Sequence, residues 1–170
     1  MPGSGGIVVL GLDPGSRVTG YGVVREVSGS CELLEAGTIR LGGGDEAKRL
    51  GRILERVGEL IRIHGPHEAA IENVFVARNT MSALKLGQAR GAAMAACAAA
   101  GLTVDGYEPS KVKKALVGTG RADKAQVAFM VARILGVKEP DWAEDASDAL
   151  AIAVCHLNQR RVRKLAGVTP

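Results

Sequence analysis

The chain has few of the residues on which many functions depend. Three cysteines occur in 170 residues: Cys31, Cys97 and Cys155, far apart and with no C-x-x-C pair. That pattern fits a reducing compartment and free structural thiols. A thiol catalyst would need a histidine partner in space. His156 is only the chain neighbour of Cys155, and on a helix the two side chains diverge by about 100°. His64 and His67 flank Gly65-Pro66 and read as turn residues, not ligands. No apolar run approaches the roughly 20 residues that span a bilayer. The longest, residues 91–102, is alanine-rich and follows Lys85 and Arg90, so it reads as a helix of a soluble protein. The first six residues lack the basic segment of a signal peptide, and a cytoplasmic location is expected.

What is present is globular in character, with 46% hydrophobic and 24% charged residues. The length suits one domain with a proper core. Residues 1–6 read as a flexible lead and residues 160–170 as a basic tail. The net charge is +4, with an isoelectric point near 9.1, and the excess is unevenly placed. Lys111, Lys113, Lys114, Arg121 and Lys124 form one basic region; Arg160, Arg161, Arg163 and Lys164 form another. Such clusters suit a polyanionic partner, although a single cluster is also what a solvated face looks like.

Three β-rich runs come first, at residues 7–12, 21–27 and 32–40. Their short Gly/Ser connections predict an antiparallel meander. Asp45 is placed to cap a helix over residues 46–63, in which Leu50, Ile53, Leu54, Val57, Leu60 and Ile61 recur at helical spacing. Gly65 and Pro66 end it. Residues 69–75 then read as a strand parallel to the first, because a crossover helix precedes them. A helix over 80–100, a short strand over 102–107, a basic helix from about 109, a helix over 123–135 and a last helix over 145–163 complete an α/β domain.

Four carboxylates stand out. The first strand runs into Asp13, followed by Pro14-Gly15; alone, this is either a hairpin turn or a device for placing a charge. Glu72 falls near the end of the parallel strand. Asp145 and Asp148, three apart, share one face at the start of the last helix. There they favour the helix dipole, but they also border an apolar run where bare burial is costly. If all four converge, like charges raise one another's pKa unless a cation neutralises them. Oxygen-only ligands select Mg²⁺ or Mn²⁺. Two such ions about 3.5–4 Å apart can activate water and stabilise the leaving oxygen at a phosphodiester, while basic residues hold the backbone. This is the logic of a nuclease.

The same residues carry a resemblance. Leu-Asp13-Pro-Gly-Ser-Arg-Val-Thr-Gly-Tyr-Gly, Ile71-Glu72-Asn-Val-Phe75, Ser82-Ala-Leu-Lys-Leu-Gly-Gln-Ala-Arg-Gly91, Val117-Gly-Thr-Gly120 and Ala146-Ser-Asp148-Ala-Leu-Ala-Ile-Ala occur in order. In these motifs the chain resembles the RuvC family of Holliday-junction resolvases, over about residues 7–156. The resemblance implies a ribonuclease H-like fold, with a mixed five-stranded sheet flanked by helices. It also implies a homodimeric endonuclease that uses two Mg²⁺ or Mn²⁺ ions per site and resolves four-way DNA junctions by paired symmetric nicks in recombination and repair. RuvA and RuvB, the branch-migration proteins, are its implied partners. Onto this sequence the family's catalytic and metal-binding acids fall at Asp13, Glu72, Asp145 and Asp148. Its base-stacking aromatic falls at Phe75, an aromatic that core packing would also explain. Its phosphate-contacting lysines fall at Lys113 and Lys124, with Lys124 also assigned to catalysis and Arg78 to DNA binding. The helix after Arg78 resembles the one that builds the dimer, and the alanine-rich face of residues 87–100 suits either close helix approach there or burial within one subunit. A strand–Asp–x–Gly–Ser pattern also opens the phosphate loop of sugar kinases and actin, but those proteins duplicate the fold and this chain has one copy.

Overall fold

The computed structural model describes residues 5–73 and 79–168. Its centre is a five-stranded sheet in the order β3-β2-β1-β4-β5. The strands are β1 (Ile7–Asp13), β2 (Val18–Val27), β3 (Ser30–Arg40), β4 (Glu68–Glu72) and β5 (Thr103–Tyr107). β1, β2 and β3 form the antiparallel meander, while β4 joins β1 and β5 joins β4 in parallel. The mixed sheet expected from the sequence is therefore the one observed. β2 starts three residues earlier than expected, because the β-branched Val18 and Thr19 extend the ladder to Arg40 and Ile39. The reversal after β1 is thus only residues 14–17, not the whole glycine-rich segment.

Helices cover both faces of the sheet. α1 (Glu46–His64) is capped by the Asp45 side chain, which accepts from Lys48 N at 2.9 Å, and ends at Gly65 with φ 54°. It buries Ile53, Val57 and Leu60 on one stripe. α2 (Thr80–Ala99) lies beside it and buries Ala89, Ala93, Ala96 and Cys97 in the same core, with Leu10, Leu12 and Ile71. Those alanines therefore pack within the subunit, and the large hydrophobic residues that α2 leaves exposed are Met81 and Leu84. On the opposite face lie α3 (Pro109–Val117), α4 (Lys124–Ile134) and α5 (Glu144–Leu165). α5 touches β1 and β2 on one side and α3 and α4 on the other. Being an inner layer, it is buried all round from Ala149 to Leu157.

The closeness of α5 to the sheet depends on glycines. A Cβ on Gly11 would collide with the Ala149 carbonyl, and one on Gly20 with the Asp145 carbonyl. Gly20 is the rung partner of Asp13. The missing side chains let the start of α5 descend onto the end of β1.

The far half of α5 is pinned by a buried polar network. His156, 2% exposed, meets Tyr107 Oη at 2.8 Å through Nδ1 and Glu68 Oε2 at 2.6 Å through Nε2. Arg160 donates to Glu68 at 2.9 Å and Arg163 to Asp105 at 2.9 Å, while Arg161 pairs with Glu26 at 3.3 Å. Residues 160–165, taken from the sequence as the start of a basic tail, are the last turns of α5, and these three arginines are bound to carboxylates at the sheet.

Candidate active site

Strand alternation decides where the first two acids point. Leu12 and Ile71 are opposite one another in the β1–β4 register and enter the α1/α2 core. The next residues, Asp13 and Glu72, therefore turn to the α5 face, at the C-terminal ends of two adjacent parallel strands. α5 arrives there with its first turns, bringing Asp145 and Asp148. All four acids line one cavity of about 380 Å³, together with Pro14, Gly15, Lys113 and Lys124.

The electrostatics are those of a crowded anionic site. Burial, followed by the charge of Glu72 and a hydrogen bond shared with it, raises the pKa of Asp13 from 3.8 to about 8; Asp148 and Asp145 add to the rise. Burial also raises Glu72 and Asp148. Lys124 offsets part of this. Its ammonium lies 2.5 Å from Glu144 and 3.2 Å from Asp148, and these partners, Glu144 first, raise its own pKa. Lys113 contributes positive potential at Glu72.

Among the described residues, no three or more Asp, Glu, His or Cys side chains close to coordinating geometry. The chemistry of the donor set nonetheless fits a hard divalent cation: it offers oxygen donors only, and the raised pKa values of Asp13, Glu72 and Asp148 are ones that such a cation would reverse.

Phe75 and Arg78 lie outside the described residues. Two contributors went unassigned in the sequence reading. Glu144 anchors Lys124, and its i,i+4 relation to Asp148 was the available signal. Arg90 on α2 donates to the Glu72 carbonyl at 3.0 Å and to Asn73 Oδ1 at 3.0 Å, bracing the end of β4; no local pattern reveals so distant a contact. The cysteines stay inert. Burial lifts the Cys97 thiol to about 12 and the Cys155 thiol to about 11, and His156 is engaged elsewhere.

Comparison with known proteins identifies the family. The family model "Crossover junction endodeoxyribonuclease RuvC" matches residues 9–156. A protein of that name from Solidesulfovibrio magneticus is 61% identical over 98% of this chain and 99% of its own. The structure of T. thermophilus RuvC in complex with Holliday junction substrate superposes with TM-score 0.86 at 40% identity, covering 92% of this chain and 96% of that one. The yeast mitochondrial Holliday junction resolvase Ydc2 shares the fold, with TM-score 0.66 at 11% identity over 92% of this chain and 83% of its own. With the family match spanning most of the chain and both strand-end acids inside it, this protein belongs to the RuvC family of crossover junction endodeoxyribonucleases.

Proposed function

We propose that the carboxylate cavity is the catalytic site at which this endonuclease nicks four-way DNA junctions, using divalent metal ions. The observation that carries the reading is the convergence of Asp13, Glu72, Asp145 and Asp148 with Lys113 and Lys124 around one cavity. The four acids would hold the metal, which supplies Lewis acidity for water and for the scissile phosphate; two Mg²⁺ or Mn²⁺ ions is the stoichiometry we propose. Asp13 and Glu72 hold their carboxylates at the ends of neighbouring strands, so their separation is set by the sheet and not by a loop. Lys124 holds positive charge beside Asp148 and stabilises charge that builds on the phosphate during attack. Lys113, which lines the same cavity, steers the backbone toward the acids.

The nuclease is proposed to be a single domain, with its described elements spanning residues 7–165. We propose that it acts as a homodimer with branch-migration proteins in the cytoplasm, a reading that the family membership supports. Symmetric cutting needs two sites, and the exposed Met81 and Leu84 of α2 offer a surface for the second copy. No described helix is long and apolar enough to cross a membrane.

The deciding experiment compares cutting of a synthetic four-way junction by the protein and by Asp13→Asn in Mg²⁺. We expect the variant to lose at least about a hundredfold in rate while still binding the junction, because backbone contacts dominate affinity. Cutting at the unmodified rate would overturn the assignment.

A further inference from the structure

The turn that follows Asp13 is a wall between two cavities. Pro14 and Gly15 line the carboxylate cavity, whereas Ser16 and Arg17 line a second one of about 510 Å³, with Arg40, Arg49 and Lys85 around it. The register explains the gathering. Val18 pairs with Arg40, so Arg17 and Arg40 emerge at the end of the sheet where β1 delivers Asp13. Arg49 comes from α1 and Lys85 from α2.

Among the described residues, no carboxylate lies within ion-pairing distance of these four cations. Glu46 borders an adjoining cleft without pairing to any of them. Arg49 is anchored by donating to the Ser16 carbonyl, and its Nε is buried without an acceptor. Among the described residues, Arg25, Arg56, Arg160, Arg161 and Arg163 are paired with carboxylates, whereas Arg52, Arg62, Arg90, Arg121 and Arg133 are not. What distinguishes Arg17, Arg40, Arg49 and Lys85 is that all four line one hollow. Four unneutralised cations around one hollow repel each other, and an anion relieves that repulsion. The hollow is broad and its cations come from four separate segments, which suits successive phosphates of a chain better than one enclosed ion.

We propose that this basin is a phosphate-binding subsite for the nucleic-acid backbone, receiving the phosphodiesters that lead from the carboxylate cavity across residues 14–17. The proposal deepens the endonuclease reading and rests on it.

The test measures affinity for a fluorescent four-way junction across a NaCl series, by anisotropy, with Asp13→Asn present throughout to prevent cutting. Replacing Arg17 and Arg40 by glutamine removes two exposed cations and leaves the half-buried Arg49 in place. Each lost phosphate contact lowers the slope of log affinity against log salt by about 0.9. The double variant should therefore lose roughly 1.8 in slope and bind roughly tenfold more weakly at low salt. Arg40→Gln alone should lose half as much, about 0.9 in slope, and serves if the pair misfolds; Arg17→Lys with Arg40→Lys should keep the parent slope. A slope unchanged in variants that melt like their parent overturns the subsite. Competition by inorganic phosphate at constant ionic strength, with that slope unchanged, would make the basin a free-phosphate site and also overturn it. A parent that fails to bind the junction, or that with Asp13 restored fails to cut it, defeats the endonuclease reading instead.

Discussion

At the scale of single residues, the site works against the fold that carries it. Asp13 has a folded pKa near 8 against an ordinary 3.8, so the unfolded chain releases this proton first as pH rises. The stability tied to the protonated group is complete below about pH 4 and is lost as pH climbs through 8. Metal-free protein should therefore melt at a lower temperature at pH 8 than at pH 5, and Mg²⁺ should restore part of the difference. Asp13→Asn should flatten this dependence and raise the metal-free melting temperature at pH 8, while abolishing cutting. Calorimetry in chelator, with and without Mg²⁺, checks all three outcomes. Lys124 is the counterpart. Lys124→Ala leaves Glu144 and Asp148 without their cation and should slow cutting by roughly a hundredfold or more, with little effect on melting because the lysine is largely exposed.

At the scale of elements, the decisive relation is α5 against β1 and β2. Gly20→Ala places a Cβ against the Asp145 carbonyl, in the backbone and not at the end of a flexible side chain. The helix start must then lift. We expect a loss of about 1–3 kcal/mol in stability and a disproportionate fall in cutting, because displacements of about 1 Å at reacting groups are costly. Urea unfolding beside a nicking assay separates the two effects. The other end of α5 depends on His156. His156→Ala removes the buried partner that Tyr107 and Glu68 share, leaving them only Arg163 and Arg160, and should cost about 2–4 kcal/mol. The folded pKa of Glu68 is lowered: burial raises it, but the bonds from His156 and Arg160 outweigh that effect. Its contribution therefore holds above the unfolded carboxylate value and fades as pH falls through the folded one. The same network explains why the C-terminal arginines are not a free DNA-binding tail.

At the scale of the molecule, the end of the sheet that carries the carboxylate cavity is a charged surface with acids at its centre and cations around it. Lys113 and Lys124 stand on one side of the carboxylates; Arg17, Arg40, Arg49 and Lys85 stand beyond the turn on the other. Paired nicks require two such surfaces. Replacing both Met81 and Leu84 by glutamate should shift the protein to a monomer in sedimentation. It should also leave any residual cutting as single, unpaired nicks on a junction that is read on a circular substrate.

Much of this was legible in the chain itself, because local patterns are strong where they report on nearest neighbours. Asp45 and Gly65 bound α1, the apolar run of β1 ends at an acid, and Asp145 and Asp148 share a helical face, so element types and the four acids followed from periodicity and motif. Other features depend on residues far apart in sequence, and no local pattern encodes those. Gly20 reads as turn material until α5 is seen lying on it. Arg90 reads as a helix-surface cation until it meets the Glu72 carbonyl, and Arg160 and Arg163 read as tail charges until Glu68 and Asp105 come within reach. The sequence determined which carboxylates the protein owns. Only the tertiary structure, by stacking a helix on a glycine-bared sheet, decided that they share one cavity and that a basic basin begins where that cavity ends.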